Sequence, residues 1–413
     1  MATAPGTPSV RPAPPEGYRA GERGLRRASL AIFLSGVAVF AMLYLPQVLL
    51  PEFTRAFGVS PTAATLSVSV ATAGLAVGLL VLGPVSDRRG RTGILRAALV
   101  ASAVLAVALA VVPAWEALLA LRALQGFALA GLPAVGVAYL REELDSSVTS
   151  RAVGLFVGGN AIGGLTGRVL GGVLADLGGW RTATAGIAVL GVACAVAVWV
   201  LLPASRRFVA VPRGGSLGRQ LARAVTDPVL LGLYGVAALL MGGFVAAYNA
   251  ATFRLEAPPY ALTPSLAGLV FLAYLLGSAS SPAAGVVADR VGARLVVPLS
   301  VALMGGGLLL TLAAPLPLFV AGLCVFTVGF FAAHAVASGW VAIRAARGER
   351  PVGQASSLYS FWYYVGSSIG GTLAGRSWAS DGWPGVVVLA GAMTAGALLL
   401  TVVLGRTRAL PAR

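Results

Sequence analysis

The sequence predicts an all-α membrane protein: twelve transmembrane helices in two pseudo-symmetric six-helix bundles, with both termini in the cytoplasm. Three observations predict it. The 413 residues are 58% hydrophobic and only 11% charged, with a mean hydropathy of +0.88, whereas a soluble protein carries about 25% charged residues. The apolar residues gather in twelve runs, each long enough to cross a hydrocarbon core, which takes about 20 residues of helix. The 30 basic residues, all of them arginine, are divided unevenly between the two sides of those runs.

In chain order, residues 1–27, which include "RPAPPEGYRAGERGLRR", are rich in Pro and Arg and lack an apolar core. They predict a disordered cytoplasmic tail rather than a cleaved signal. Spans follow at 28–50, 62–84, 93–113, 115–140, 152–176 and 182–203, which make a first bundle over 28–203. The longest polar segment, 204–227, is a cytoplasmic linker. A second bundle over 228–405 holds spans at 228–251, 264–287, 294–315, 317–343, 355–376 and 384–405, and 406–413 forms a second cytoplasmic tail. With the amino terminus inside, only Arg55, Arg181, Arg254 and Arg376 fall outside, and Arg122 and Arg168 lie within spans. All other arginines are cytoplasmic, as the positive-inside rule requires. The net charge of +16 therefore reports topology and excludes a nucleic-acid partner.

The two halves echo each other. Gly83, Asp87, Arg88 and Gly90 after the second span recur as Gly285, Asp289, Arg290 and Gly292 after the eighth, at a constant offset of 202. "LGGW" at 177–180 pairs with "SDGW" at 380–383 at an offset of 203. Parallel six-helix repeats are a transporter architecture, with substrate held near the midplane between the halves.

The pattern G-x-x-x-D-R-x-G-R from Gly83 to Arg91 resembles the signature loop of the major facilitator superfamily, and the resemblance extends over about residues 28–405. Arg122-Ala123-Leu124-Gln125-Gly126 resembles the R-x-x-Q-G element of its proton-coupled members. Gly154, Gly163, Gly167, Gly171 and Gly172 match the fifth-span glycine spacing of drug/proton antiporters, with Arg168 in place of the family's Pro. "FAMLYLPQVLLPEFTRAFGVSP", "YNAATFRLEAPP" and "HAVASGWVAIRA" resemble a twelve-helix bacterial inner-membrane branch of efflux carriers. The resemblance implies a monomeric secondary transporter of the plasma (inner) membrane, surrounded by the lipid bilayer and using no cofactor. It exports a small organic molecule by alternating access, with protons as the candidate coupling ion.

The charged residues carry the rest of the reading. Asp87, among Arg88, Arg89 and Arg91, can cap a helix terminus or pair with arginine, and Gly83 and Gly90 permit close approach and a tight turn. Such a cluster can latch one conformation of a rocking bundle. The 14 acidic residues lie in tails, loops or helix ends. The chain thus lacks the intramembrane carboxylate that binds proton and cation in competition, which disfavours a cationic-drug antiporter. Inside the membrane remain Arg122, Arg168 and His334. Arg122 lies roughly 9–10 Å, and Arg168 roughly 12 Å, from the outer end of its helix.

Charges at that depth face a bundle interior or a wet cavity. In this fold the two arginines would make the central cavity electropositive, which suits a carboxylate-bearing or phosphate-bearing substrate. Arg168 alternatively snorkels to the outer interface. His334, the only histidine, is the candidate proton carrier. Gln125, Tyr248, Asn249, Tyr363 and Tyr364 are candidate cavity contacts, and the glycines 163, 167 and 171, spaced by four, admit a neighbouring helix closely.

Two other readings are kept beside efflux. One is a proton-independent facilitator or importer of an organic anion. The other, more distant, is a transporter-like receptor or an intramembrane hydrolase. The hydrolase idea rests on Gly366-Ser367-Ser368-Ile369-Gly370, formally G-x-S-x-G, but that segment lies in a membrane helix with only His334 to serve as base. Cys194 and Cys324 are isolated packing residues, and no cluster has metal-ligand spacing. A phosphate-binding Gly-Lys-Ser/Thr loop is also missing, so the chain does not read as an enzyme or an ATP-driven pump.

Overall fold

The computed structural model describes residues 16–210 and 222–407. Parts of the expected tails and linker, 1–15, 211–221 and 408–413, lie outside the described residues. Among the described residues the chain is helical, with one isolated bridge between Tyr18 and Leu144 and no named strand. Ten uninterrupted helical stretches are long and apolar enough to cross a membrane, and two of them run to 56 and 54 residues. A straight helix of that length would extend about 80 Å, more than twice a hydrocarbon core.

Both are broken where the sequence places glycine. Gly179 has φ +76° and Gly382 has φ +61°, a region that residues with a Cβ avoid. The breaks turn ten stretches into twelve spans. We label them α1 Arg23–Phe57, α2 Pro61–Arg89, α3 Arg91–Val111, α4 Trp115–Glu143, α5 146–177 and α6 180–201. The second set is α7 Pro228–Glu256, α8 Pro264–Val291, α9 Ala293–Leu310, α10 Leu316–Arg347, α11 352–381 and α12 383–405.

The halves are built alike. α5 and α6 pack on α1, as α11 and α12 pack on α7. In the first half a Cβ on Gly163 would stand 2.4 Å from the Val37 carbonyl oxygen, and one on Gly167 2.4 Å from that of Ala41. In the second half a Cβ on Gly366 or Gly370 would stand 2.0 or 2.2 Å from the Ala238 or Gly242 carbonyl oxygen. Helices whose backbones touch in this way exclude even a methyl group. A Cβ on Gly171 would stand 2.4 Å from the Leu45 side chain, and one on Gly172 2.6 Å from the Pro264 carbonyl oxygen of the other bundle. Gly375 repeats the Gly172 contact against Pro61, also at 2.6 Å. Gly154 is different: nothing lies within 4 Å of its Cβ position. It stands nine residues before Gly163, about half a turn round the helix from the glycine face.

Several expectations are corrected. α1 begins at Arg23, and the main chain of Tyr18 bonds to Glu143 and Asp145, so residues 16–27 are structured where a disordered tail was expected. The signature segments are mostly helix. Gly83 to Arg89 complete α2 and Gly285 to Val291 complete α8, while Gly90 (φ +101°) and Gly292 (φ +92°) make the turns. Neither Gly83 nor Gly285 has an atom within 4 Å of its Cβ position, so neither is a close-packing glycine here.

Pro46 breaks α1 between Tyr44 and Pro46 because it has no N–H for the Met42 carbonyl. The two bundles meet through α2–α11, α5–α8 and α1–α7.

Gly167→Ala should separate α1 from α5 and cost about 1–3 kcal/mol. Gly154→Ala should be neutral within about 0.5 kcal/mol. Thermal unfolding of the two detergent-solubilised variants checks this contrast.

Candidate functional site

The site is built where the bundles touch. Arg168 on α5 is 1% exposed, so it does not snorkel to the surface. Its Nε donates to Gln47 Oε1 at 2.8 Å, its Nη2 donates to the same oxygen, and its Nη1 donates to the Gly164 carbonyl at 2.8 Å. Across the interface Nη2 also reaches Tyr274 Oη at 3.3 Å. The rings of Tyr44, Tyr274 and Phe271 surround the guanidinium, with centroids 4.3, 4.6 and 4.7 Å from Cζ. Cation–π contacts of this kind are worth up to about 2 kcal/mol when desolvated.

Gln47 passes the interaction on. Its Nε2 donates to Asn249 Oδ1 on α7 at 2.8 Å, and the two residues stand 202 apart in sequence. The Asn249 Nδ2 and Ser69 Oγ atoms are buried without partners. Both face Gly371, whose Cβ would stand 3.2 and 2.9 Å from them.

Arg122 belongs elsewhere. It is 2% exposed and donates to the carbonyls of Ser67, Met42 and Leu43 at 3.0, 3.0 and 2.8 Å, and to Gln125 Oε1. Gln125 in turn donates to the Ser102 carbonyl at 3.2 Å. The Met42 carbonyl is the one that Pro46 leaves without a donor, so Arg122 repairs the proline kink inside its own bundle. The expected pairing of Arg122 with Arg168 in one cavity does not form, because every acceptor of Arg122 lies within the first bundle.

In the second bundle His334 Nδ1 lies 3.1 Å from Tyr359 Oη, and its ring contacts those of Phe330 and Tyr363. Tyr363 packs on Tyr364, and Tyr248 Oη lies 2.6 Å from Thr327 Oγ1. Ser368 Oγ donates to the Ser69 carbonyl at 2.6 Å and lies 2.9 Å from Thr72 Oγ1. It therefore joins the bundles, and no imidazole stands beside it to activate it as a nucleophile. The ion pair of Arg55 with Glu256, at 3.2 Å, and the bond from Ser265 to Asp176 also span the interface. Between described residues, all these cross-bundle bonds lie in the half of the molecule away from the termini.

On the termini side each bundle keeps its own charges. Arg91 pairs with Asp87 and with Glu142 at 2.7 Å, and donates to Ser86 Oγ at 2.7 Å. Arg88 and Arg89 are exposed. The second copy does not repeat the network: Ala293 stands where Arg91 would, and Asp289 and Arg290 are exposed. Asp289 borders a cavity of about 490 Å³ that Trp340, Arg344 and Arg347 also line. Asp227 takes the structural part there, capping α7 and pairing with Arg344 at 2.9 Å and Arg350 at 3.2 Å. Burial would raise the Asp227 pKa, but bonds from Arg344 and the Val229 amide and the charge of Arg350 hold it below the usual carboxylate range. Its contribution is complete at neutral pH and is lost as pH falls through that lowered value.

Sequence reasoning missed Gln47, Tyr44, Tyr274 and Ser69. Tyr44 and Gln47 lie within the stretch "FAMLYLPQVLLPEFTRAFGVSP", the one sequence signal that touched any of the four.

A family model described as Major Facilitator Superfamily matches residues 32–260 and 239–413. The uncharacterized MFS-type transporter YybF of Bacillus subtilis is 39% identical over 396 residues, covering 95% of this chain and 97% of the relative. The inner membrane transport protein YnfM of Escherichia coli is 41% identical over 375 residues, covering 91% and 89%. Among solved structures, a D-xylose–proton symporter superposes with a TM-score of 0.72 at 17% identity, covering 92% of this chain and 97% of the symporter. A bacterial homologue of the human lysosomal transporter Spinster, inward-facing and occupied, gives 0.71 at 13% identity, covering 93% and 95%.

Arg122→Leu should cost about 3 kcal/mol or more, because it leaves buried carbonyls without donors. A lowered melting temperature in detergent checks this, and an unchanged one would show that water replaces the guanidinium.

Proposed function

The chain belongs to the major facilitator superfamily and is a multi-pass plasma-membrane transporter, not an enzyme; on that premise we propose that it exports a small organic molecule by alternating access. The observation that carries the reading is the one-sided contact between the bundles. Cross-bundle hydrogen bonds join the half away from the termini, whereas Gly83 on α2 and Gly285 on α8 face open space on the termini side. With the termini side read as cytoplasmic from the arginine distribution, this arrangement supports an inward-open reading with the outer gate shut.

Gly83 lies eleven residues beyond Thr72, and Gly285 eleven beyond Tyr274, which places each within about 20° of a residue that touches the other bundle. Both faces are ready to close on the inner side when the outer half opens. Such rocking of two bundles about a fixed midplane site is the alternating-access cycle.

The outward direction is supported by the α5 glycine face, which resembles that of drug/proton antiporters and packs on α1 as described above. For coupling, His334 is the candidate: its Nδ1 is held by Tyr359 while the imidazole sits among aromatic rings. A proton-independent carrier of organic anions is the second reading, favoured by the buried Arg168 and by the lack of a mid-membrane carboxylate.

Solute flux into proteoliposomes under an imposed pH gradient tests coupling. Antiport expects flux that follows the gradient in the wild type and stops following it in His334→Ala. Gradient-independent flux in both would make the chain a facilitator. Gly83→Trp should fold normally yet reduce transport by about tenfold or more, since the inner side can no longer close. Unimpaired flux in that variant would contradict the rocking cycle.

A further inference from the structure

We propose that Arg168 receives the acid group of an anionic, apolar substrate, and that this binding releases the outer contact between the bundles. The proposal rests on the transporter reading and names its substrate class.

Arg168 is a buried cation whose hydrogen-bond partners are all neutral: an amide oxygen, a main-chain carbonyl and a phenol. Among the described residues no carboxylate pairs with it. Three arginines near the ends of spans do meet carboxylates: Arg91 meets Asp87 and Glu142, Arg55 meets Glu256, and Arg344 meets Asp227. Arg254, at the outer end of α7, has carbonyl, phenol and ring partners instead, but it is only half-buried. Arg122 also lacks a carboxylate, but four acceptors hold it in place of the donor missing at Pro46. Arg168 repairs nothing of that kind.

Nor does the fold require an arginine there. The repeat offset of 203 that matches Gly167 to Gly370 and Gly172 to Gly375 matches Arg168 to Gly371. The second half closes the same helix contacts with a hydrogen atom at that position. A charge present in only one of two equivalent places, buried and without a counter-ion, is a cost that packing does not explain.

Its partner explains what binding would do. Gln47 accepts two N–H groups from Arg168 through Oε1 and at the same time donates through Nε2 to Asn249 of the other bundle. A carboxylate is a stronger acceptor for the guanidinium edge than an amide, because its bonds are charge-assisted and bidentate. When it takes the Nε–Nη2 edge, Gln47 loses the two bonds that aim its amide at Asn249. The bond between the bundles then loses its support.

The surroundings set the rest of the ligand. Tyr274 at the guanidinium edge is partly exposed and touches Phe331, and His334 and Tyr363 continue the aromatic surface. An aromatic carboxylate fits that lining, while an organic cation would meet a like charge.

The test uses the purified full chain and three matched probes, benzoate, benzamide and benzylamine, read by calorimetric binding. Benzoate should bind about tenfold or more tightly than either of the others. Equal binding of benzoate and benzamide by the wild type would overturn the proposal, and this comparison needs no variant. Gln47→Glu tethers a carboxylate beside Arg168; it should keep or raise the melting temperature and weaken benzoate binding by about tenfold. Wild-type affinity in that variant would also overturn the proposal.

The release step has its own readout. A cysteine pair in place of Arg55 and Glu256 should cross-link several-fold more slowly with benzoate present, and an unchanged rate would remove the release step. Binding and cross-linking require no flux. A chain that binds benzoate selectively yet moves no solute would refute the transport reading and leave the anion site standing.

Discussion

The arrangement depends on one steric constraint, the direct contact of α5 with the α1 backbone. Gly163 and Gly167 lie so close to the Val37 and Ala41 carbonyls that a Cβ would overlap them. That contact removes the rotational freedom of α5, and every other residue of the helix is then aimed. Arg168, one residue past Gly167, lies about 100° round the helix and is turned toward α1's Gln47 and the facing α8. Gly164, one turn back, gives it room: a Cβ there would stand 3.2 Å from Nη1. The same constraint operates between α11 and α7, so the second half presents an equivalent surface with Gly371 in place of the charge.

Because the halves are equivalent, their meeting surface follows two-fold logic. Gln47 of α1 touches Asn249 of α7, Gly172 sits on Pro264 as Gly375 sits on Pro61, and α2–α11 mirrors α8–α5. Symmetric contacts close the half away from the termini. Arg168 and its aromatic ring cage depart from that symmetry, and they lie where the bundles meet.

The two intramembrane arginines show why site residues are harder to read than spans. In sequence each is a lone charge in an apolar run at similar depth. Their roles diverge because of Pro46: by removing a donor it exposes the Met42 carbonyl, and Arg122 is spent on that defect. Nothing local to Arg122 announces this, since Pro46 lies 76 residues away. His334 was legible as the only titratable imidazole, but its Tyr359 partner depends on how α10 meets α11. The glycines divided likewise: the spacing by four identified the face at 163, 167 and 171, whereas Gly154 lies half a turn away and meets nothing.

Spans, repeat and family were written in the sequence because they rest on periodicity and composition, which are one-dimensional. Hydrocarbon thickness sets the run length, charge asymmetry sets the sides, and duplication leaves a constant offset. Glycine in "LGGW" and "SDGW" even marked the two breaks that divide the longest helices. Tertiary structure alone decided which polar atoms meet: that Arg168 and not Arg122 faces the second bundle, and that Gln47 links it to Asn249. It also decided that, among the described residues, the hydrogen bonds between the bundles fall on one side. Those are outcomes of helix rotation and of contacts between residues up to 299 apart, and a side chain's direction is settled only when the neighbouring backbone is in place.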